Sequence, residues 1–219
     1  IFQNQNQNQN HMKEHPMLFS APMVRAILEG RKTQTRRIAT FFNEPDSVAM
    51  GLGDDSAKQF LPRLEDGWWK AAREGYQCKC PYGTRGDRLW VKETHRHHLC
   101  AGADMERLHF AADGACCPVD GERIKPWRPS IFMRRVDSRI TLEVVAVRVE
   151  RLQGISEEDA RAEGVERMSH GFRDYSGQLD CQLGQATSSY LTLWESINGP
   201  GSWERNPWVW VLDFKKTTK

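Results

Sequence analysis

No stretch of this sequence approaches the roughly 20 consecutive apolar residues that a membrane-spanning helix needs, and no signal peptide leads it. The expectation is a cytoplasmic protein without a membrane partner. A one-sided charge is missing too: 31 Lys and Arg face 29 Asp and Glu, for a net charge of +2. That balance, with 39% hydrophobic residues, argues against a disordered or strongly polyionic chain. No internal repeat is visible, which removes solenoid and propeller architectures. C-x-x-C pairs are absent as well. The six cysteines are Cys78, Cys80, Cys100, Cys116, Cys117 and Cys181, with His95, His97 and His98 between them. The vicinal pair is a poor way to ligate one metal, so reduced thiols are expected rather than a zinc site or a disulfide framework.

Ile1 to His11 is an alternating Gln/Asn tract running into His-Met, and reads as an appended tag and linker. Residues 12–219 are then expected to form a single domain. Eight tryptophans are many for this length. Trp90, Trp194, Trp208 and Trp210 fall in strand-like or helical runs and read as packing, whereas Trp68, Trp69 and Trp127 sit in polar, loop-like surroundings. There they could act as stacking platforms for unpaired bases.

Ser20 to Glu29 predicts a helix: Ser20 is a good N-cap, Pro22 suits the first turn, and Val24, Ile27 and Leu28 form the apolar stripe. Gly30 closes it. Strands are expected over 88–93, over 140–150 (the strongest β-branched run) and over 207–214. Short helices are expected over 156–163, opened by Ser156 with acids behind it, and over 188–197. Stretches near 41–76 and 95–126 have no clean periodicity and read as two long insertions. Strands separated by helices, without repeating βα units, predict an α+β fold built on a small mixed barrel.

The most informative segment is Gly30-Arg31-Lys32-Thr33-Gln34-Thr35-Arg36-Arg37. A lysine among three arginines is pushed toward its neutral form, and burial adds to the push. A neutral amine can accept a hydroxyl proton, and a threonine can then attack a carbonyl. The same residues could equally be a basic strand that contacts phosphates without turnover. In a regular strand Lys32 and Thr35 would point to opposite faces, so cooperation requires the chain to bend just after the helix.

Gly30-x-Lys32-x-x-Thr35-x-Arg37 resembles the signature of the ASCH superfamily, whose domains have a PUA-like barrel fold and are linked to RNA. The common signature carries Glu where this chain has Thr35. The threonine form is similar to bacterial ASCH amidohydrolases that remove the acetyl group from N4-acetylcytidine. Gly86-Asp87 with its following strand, the strand from Ile140 with the helix containing Ala160 and Glu163, and Val209 to Lys215 match in order. Cys80-Pro-Tyr-Gly83, Trp127-Arg-Pro-Ser130 and Asn198-Gly199 with Trp203 resemble phage and prophage ASCH proteins.

The resemblance implies a PUA-like fold and a hydrolase that needs no metal or cofactor. Lys32 would be the proton acceptor, Thr35 the nucleophile and Glu163 the proton donor. Arg31, Thr33, Arg37, Trp127 and Arg128 are the candidate substrate-binding residues, and the partner would be a nucleoside, RNA or another modified nucleic acid. Six basic residues between Arg123 and Arg139 would suit a phosphate-tracking surface. A non-catalytic RNA- or modified-base-binding module of a phage, and an ASCH ribonuclease, remain the alternatives.

Overall fold

The computed structural model describes residues 12–40, 68–70, 77–99, 106–114, 126–177 and 182–217. The Gln/Asn leader, most of the first expected insertion, residues 100–105 and 115–125 of the second, and Cys100, Cys116, Cys117, Cys181, Arg123 and Lys125 lie outside them. The described chain is mixed α+β. It opens with β1 (Glu14–Leu18) and α1 (Ala21–Leu28), followed by β2 (Gln34–Ile38). Next come a two-stranded pair, β3 (Trp68–Lys70) with β4 (Gln77–Lys79), then β5 (Arg88–Lys92) and the hairpin β6 (His95–Leu99) with β7 (Glu106–Phe110). The second half holds β8 (Thr141–Arg151), α2 (Glu157–Ala162) and a small sheet of β9 (Arg167–Met168), β10 (Gly171–Arg173) and β11 (Gln182–Leu183). It ends with α3 (Ala186–Asn198) and β12 (Trp208–Lys216).

Five strands form the central sheet, in the order β1-β5-β8-β12-β2. Only the β1–β5 pair is parallel. Its backbone is the long antiparallel pairing of β8 with β12, interrupted by a bulge between Asp213 and Phe214. Period-two alternation along β12 sorts two cores onto opposite faces. Trp208, Trp210, Leu212 and Phe214 pack with Val24 and Ile27 of α1 and with Leu89, Val91, Leu142 and Val144. Val209 and Val211 pack on the other face with Ala160 of α2 and Tyr190 and Trp194 of α3.

The expected barrel is not closed. Among the described residues β1 and β2 are the two edges of an open sheet and do not pair with each other. Helix α1 occupies the connection between them, and its buried Val24, Ala26 and Ile27 cover the sheet face that a barrel would have wrapped inward. The edges are drawn together by one side chain, Arg37 Nη2 donating to Leu18 O at 2.7 Å.

Both helix starts obey their sequence signals in part. Ser156 Oγ accepts from Asp159 N at 3.1 Å, with three acids in the first turn of α2. Ser20 occupies the N-cap position of α1 but makes no side-chain cap bond. Strand β1 was not anticipated because Pro16 interrupts its pattern; an edge strand tolerates the missing N–H. Trp68 and Trp69 lie in β3 rather than in a loop, and residues 95–99 and 106–110 pair as a hairpin within the second expected insertion. Among the described residues no helix is long and apolar enough to cross a membrane.

Candidate active site

The position of Lys32 is set by the backbone on either side of it. Helix α1 ends at Gly30, whose φ of +76° is the left-handed conformation that closes many helices. The N–H groups of Arg31 and Lys32 then both donate to Ala26 O, at 2.9 and 3.0 Å, folding the chain back onto the last turn. Thr33 N donates to Ala162 O at 2.8 Å, and Phe214 N donates to Thr33 O at 2.8 Å. Strand β2 begins at Gln34, and the bond to Thr33 O carries its ladder one residue back toward the lysine.

The lysine side chain is buried against the turn that follows α2. Gly164 makes room for it: a Cβ there would sit 2.8 Å from Lys32 Cβ, and its φ of +86° independently favours glycine. Lys32 Nζ donates to the backbone carbonyl of Glu163 and to Glu163 Oε2, each at 2.7 Å. Both side chains are enclosed, at 0% and 3% exposure. Burial pushes the Lys32 amine toward its neutral form; the Glu163 carboxylate opposes this, and Arg37 and Arg36 add to it.

Arg36 joins Glu163 from the other side, with Nη1 3.5 Å from Oε1. Its guanidinium is wholly enclosed and also meets Asp159 at 2.9 Å, Glu150 at 3.3 Å and the side-chain oxygen of Gln34. Gln34 Nε2 in turn donates to Asp159 at 2.9 Å and Asp213 at 2.7 Å. Arg148 closes the network on Asp159, Glu150 and Asp213. The carboxyl of Asp159 is held below its ordinary range: burial works against this but is outweighed by Gln34, Arg36 and Arg148.

Beside this network lies a small cavity, open to solvent, with about 60 Å³ of room for water-sized molecules. It wraps the outer edge of β2 between α1 and α3. Thr35 and Arg37 pair with Leu212 and Trp210 and so share the α1 face, whereas Arg36 pairs with Val211 and shares the α3 face. A cavity over the strand's free edge therefore takes Thr35, Arg36 and Arg37 together, with Met23 of α1, Glu163, and Tyr190, Trp194 and Asn198 of α3. Ala39 N donates to Trp208 O and Phe214 N to Thr33 O, so the odd-numbered residues of β2 bond inward. The backbone groups of Arg36 and Ile38 consequently point out of the sheet, on the side of the cavity.

Of the candidate residues, Thr35, Glu163 and Arg37 line the cavity, and Lys32 stands behind Glu163. Lys32 directs its hydrogen bonds to Glu163 and none to Thr35. Arg37 bonds Leu18 O and lies over the Phe19 ring at 5.4 Å. Arg31 is engaged by Glu29 and the carbonyl of Gly164, and Thr33 serves through its backbone. Neither lines the cavity, nor do Trp127 and Arg128.

Sequence reasoning passed over Arg36 and Tyr190. Arg36 fell in the signature segment but outside its spaced positions, and Tyr190 with Trp194 is an i, i+4 aromatic pair that reads as packing. Burial and the neighbouring Glu163 carboxylate push the Tyr190 hydroxyl well above its usual range, so it stays protonated and able to donate.

Cys78 and Cys80 are free thiols pushed up by burial, to about 11 and about 12, which leaves them unreactive as thiolates. Among the described residues no group of three or more His, Cys, Asp or Glu is placed to hold a metal ion. Buried His95 instead sets Nδ1 3.0 Å from Glu93 O. No family model, no curated protein and no solved structure matches the chain.

Proposed function

We propose that the cavity at the edge of β2 is the active site of a metal-independent amidohydrolase of the ASCH, PUA-like type, acting on an N-acylated cytidine or a related nucleoside. The observation that carries this reading is the enclosed Lys32–Glu163 pair at 2.7 Å, with Glu163 sharing one cavity with Thr35. Proton transfer along that contact converts ammonium and carboxylate into amine and carboxylic acid. Burial favours the neutral amine. A pair that is ionic at rest and shifts its proton during the reaction supplies a base and an acid side by side, which acyl transfer from an amide requires.

In the reaction, Thr35 Oγ attacks the acetyl carbonyl and its proton passes to the pair. The carboxylic acid of Glu163 protonates the departing cytosine amine as the carbon–nitrogen bond breaks. Water then attacks the threonine ester, releasing acetate and returning the proton to Thr35. Outward-facing backbone N–H groups of β2 and Arg37 are the donors at hand for the oxyanion, and the Tyr190 hydroxyl is engaged by Glu163. The test is chromatography of N4-acetylcytidine after incubation with the protein beside Thr35→Ala. Conversion to cytidine and acetate that is lost in the variant is expected; a Thr35→Ala protein with full activity excludes the mechanism.

A second reading is favoured by one observation: Lys32 bonds Glu163 and does not reach Thr35. A cavity with its charges already paired can hold a modified base without turning it over. A folded wild-type protein that binds N4-acetylcytidine and yields no cytidine selects this reading.

A further inference from the structure

Glu163 has a second carboxylate one helical turn away. Asp159 stands four residues earlier on α2, and Glu163 N donates to Asp159 O at 2.9 Å, so the two side chains leave the same face of the helix. Like charges at that spacing repel. A side chain from another element lies between them. Arg36 of β2 reaches Asp159 Oδ2 through Nη2 at 2.9 Å and Glu163 Oε1 through Nη1 at 3.5 Å. That leaves Glu163 Oε2 to Lys32, at 2.7 Å. Each oxygen of the Glu163 carboxylate therefore has its own cation, which fixes the plane of the carboxyl at the cavity wall.

Enclosure falls along this arm. The side chains of Lys32 and Arg36 are 0% exposed and that of Glu163 is 3% exposed, whereas Asp159 is at 23% and Glu150, 3.3 Å from Arg36, is at 30%. A guanidinium does not release a proton in a protein, so the arm cannot carry one between the pair and solvent. It transmits charge instead, and an enclosed charge is little screened. After burial, and against the pull of Glu163, Arg37 and Arg36 push the Lys32 amine toward its neutral form. Asp159 offsets the Arg36 cation from the far side. Also facing the pair are the Phe19 ring, 5.8 Å from Lys32 Nζ, and the Tyr190 hydroxyl on Glu163. Facing Asp159 are Gln34 and Arg148, both of them also held by Asp213.

We propose that Arg36 and Asp159 are positioning residues acting together on the Lys32–Glu163 pair. Arg36 orients the carboxyl, and Asp159 sets how strongly the guanidinium charge opposes a proton on it. The effect on turnover rests on the hydrolase reading; the effect on the pair does not. Neutralising Arg36 and neutralising Asp159 remove charges of opposite sign, so the two changes must move the working pH range of the pair in opposite directions. A purely structural role has no such signature.

The experiment measures kcat for N4-acetylcytidine against pH. Beside it, Lys32 is titrated in the ligand-free protein by the NMR shift of its Cε, assigned with Lys32→Met. Three cations face four carboxylates in the network, so Asp159→Asn leaves the charges balanced and is expected to fold. It should move both limbs of the kcat profile and the Lys32 midpoint down by about one to two pH units. Arg36→Gln should move all three up by at least as much. Arg36→Lys keeps the charge but cannot fork between two carboxylates, so its midpoint should stay near wild type while kcat falls more than KM changes. A Lys32 midpoint that does not move in Asp159→Asn, or that moves the same way in Asp159→Asn and Arg36→Gln, overturns the proposal; if Arg36→Gln does not fold, Asp159→Asn decides it. Wild-type kcat in Arg36→Lys overturns the orienting role. A wild-type protein that yields no cytidine removes the hydrolase reading, and the Lys32 titration then decides the proposal alone.

Discussion

Replacing Glu163 with Gln removes one charge from an enclosed pair while keeping the shape of the side chain. Lys32 retains the backbone carbonyl of residue 163 at 2.7 Å but loses its only carboxylate partner among the described residues. Leaving one member of a buried ion pair unpaired costs about 3–5 kcal/mol. The upper end has an independent physical limit. An unfolded lysine titrates near 10.5, about 3.5 pH units above neutrality. Folding with a neutral amine therefore costs about 5 kcal/mol at pH 7, at about 1.4 kcal/mol per unit, and the protein takes that route before paying more.

The limit carries a pH signature. Where the penalty reaches that limit, the amine in folded Glu163→Gln is neutral, whereas in the unfolded chain it is protonated below about 10.5, so the unfolded state binds the extra proton. Stability then rises with pH, and the deficit relative to wild type shrinks by up to about 1.4 kcal/mol per unit as pH climbs toward 10.5. Lys32→Met should cost less than Glu163→Gln, because Glu163 keeps Arg36 at 3.5 Å. The double variant Lys32→Met, Glu163→Leu should be more stable than Glu163→Gln alone, since apolar replacement of a whole buried pair is often neutral. Urea unfolding of the four proteins between pH 6 and 10 measures all of this. A Glu163→Gln deficit below about 1 kcal/mol that does not change with pH would refute the buried pair and the mechanism built on it.

Gly164→Ala should destabilise the protein by at least about 1–2 kcal/mol, from the left-handed φ of +86° alone. It should also reduce turnover, because the new methyl pushes on Lys32 Cβ; thermal melts and kcat read the two effects. Trp194→Ala should cost about 3–5 kcal/mol, as it empties the core beneath the cavity. Tyr190→Phe keeps the ring and removes the donor, so kcat should fall while the melting temperature stays close to wild type. Below pH 4, protonation of Asp159 removes contacts to Arg36 and Arg148; its lowered titration range means this stability is present above about 3.9 and lost as pH falls through its folded value. Asp159→Asn should flatten the acid limb of a stability-versus-pH curve.

Much of the fold was legible where one periodicity operates over a long run. The strands expected over 140–150 and 207–214 emerged, over 141–151 and 208–216, as the paired centre of the sheet, and Ser156 with its following acids marked α2. The strand Glu14–Leu18 was hidden by Pro16, whose tolerance depends on the strand being at an edge, a tertiary fact. The open sheet was hidden for a related reason. Whether the two edges pair or leave a gap is decided by the packing of α1 between them, and no local pattern encodes that.

The candidate site shows the same division at smaller scale. Composition alone identified the basic segment after Gly30, and the likeness to a known signature selected Lys32, Thr35 and Glu163 from it and from the later helix. Lys32 and Arg36, four residues apart, both meet Glu163, while Thr35, Arg36 and Arg37 reach one cavity from both faces of an edge strand. Alternation assumes that a strand has two separate sides. At a free edge the two sides meet, and residues adjacent in sequence can line one cavity. Arg36 and Tyr190 were therefore passed over. The same geometry explains why the lysine is enclosed: Gly164 admits its stem, Glu163 neutralises its head, and Arg36 ties that carboxylate to Asp159 and Glu150. A chain selected only for stability could fill that space with apolar side chains at no loss. Keeping a buried ion pair at the wall of a cavity is the arrangement expected where a proton has to move.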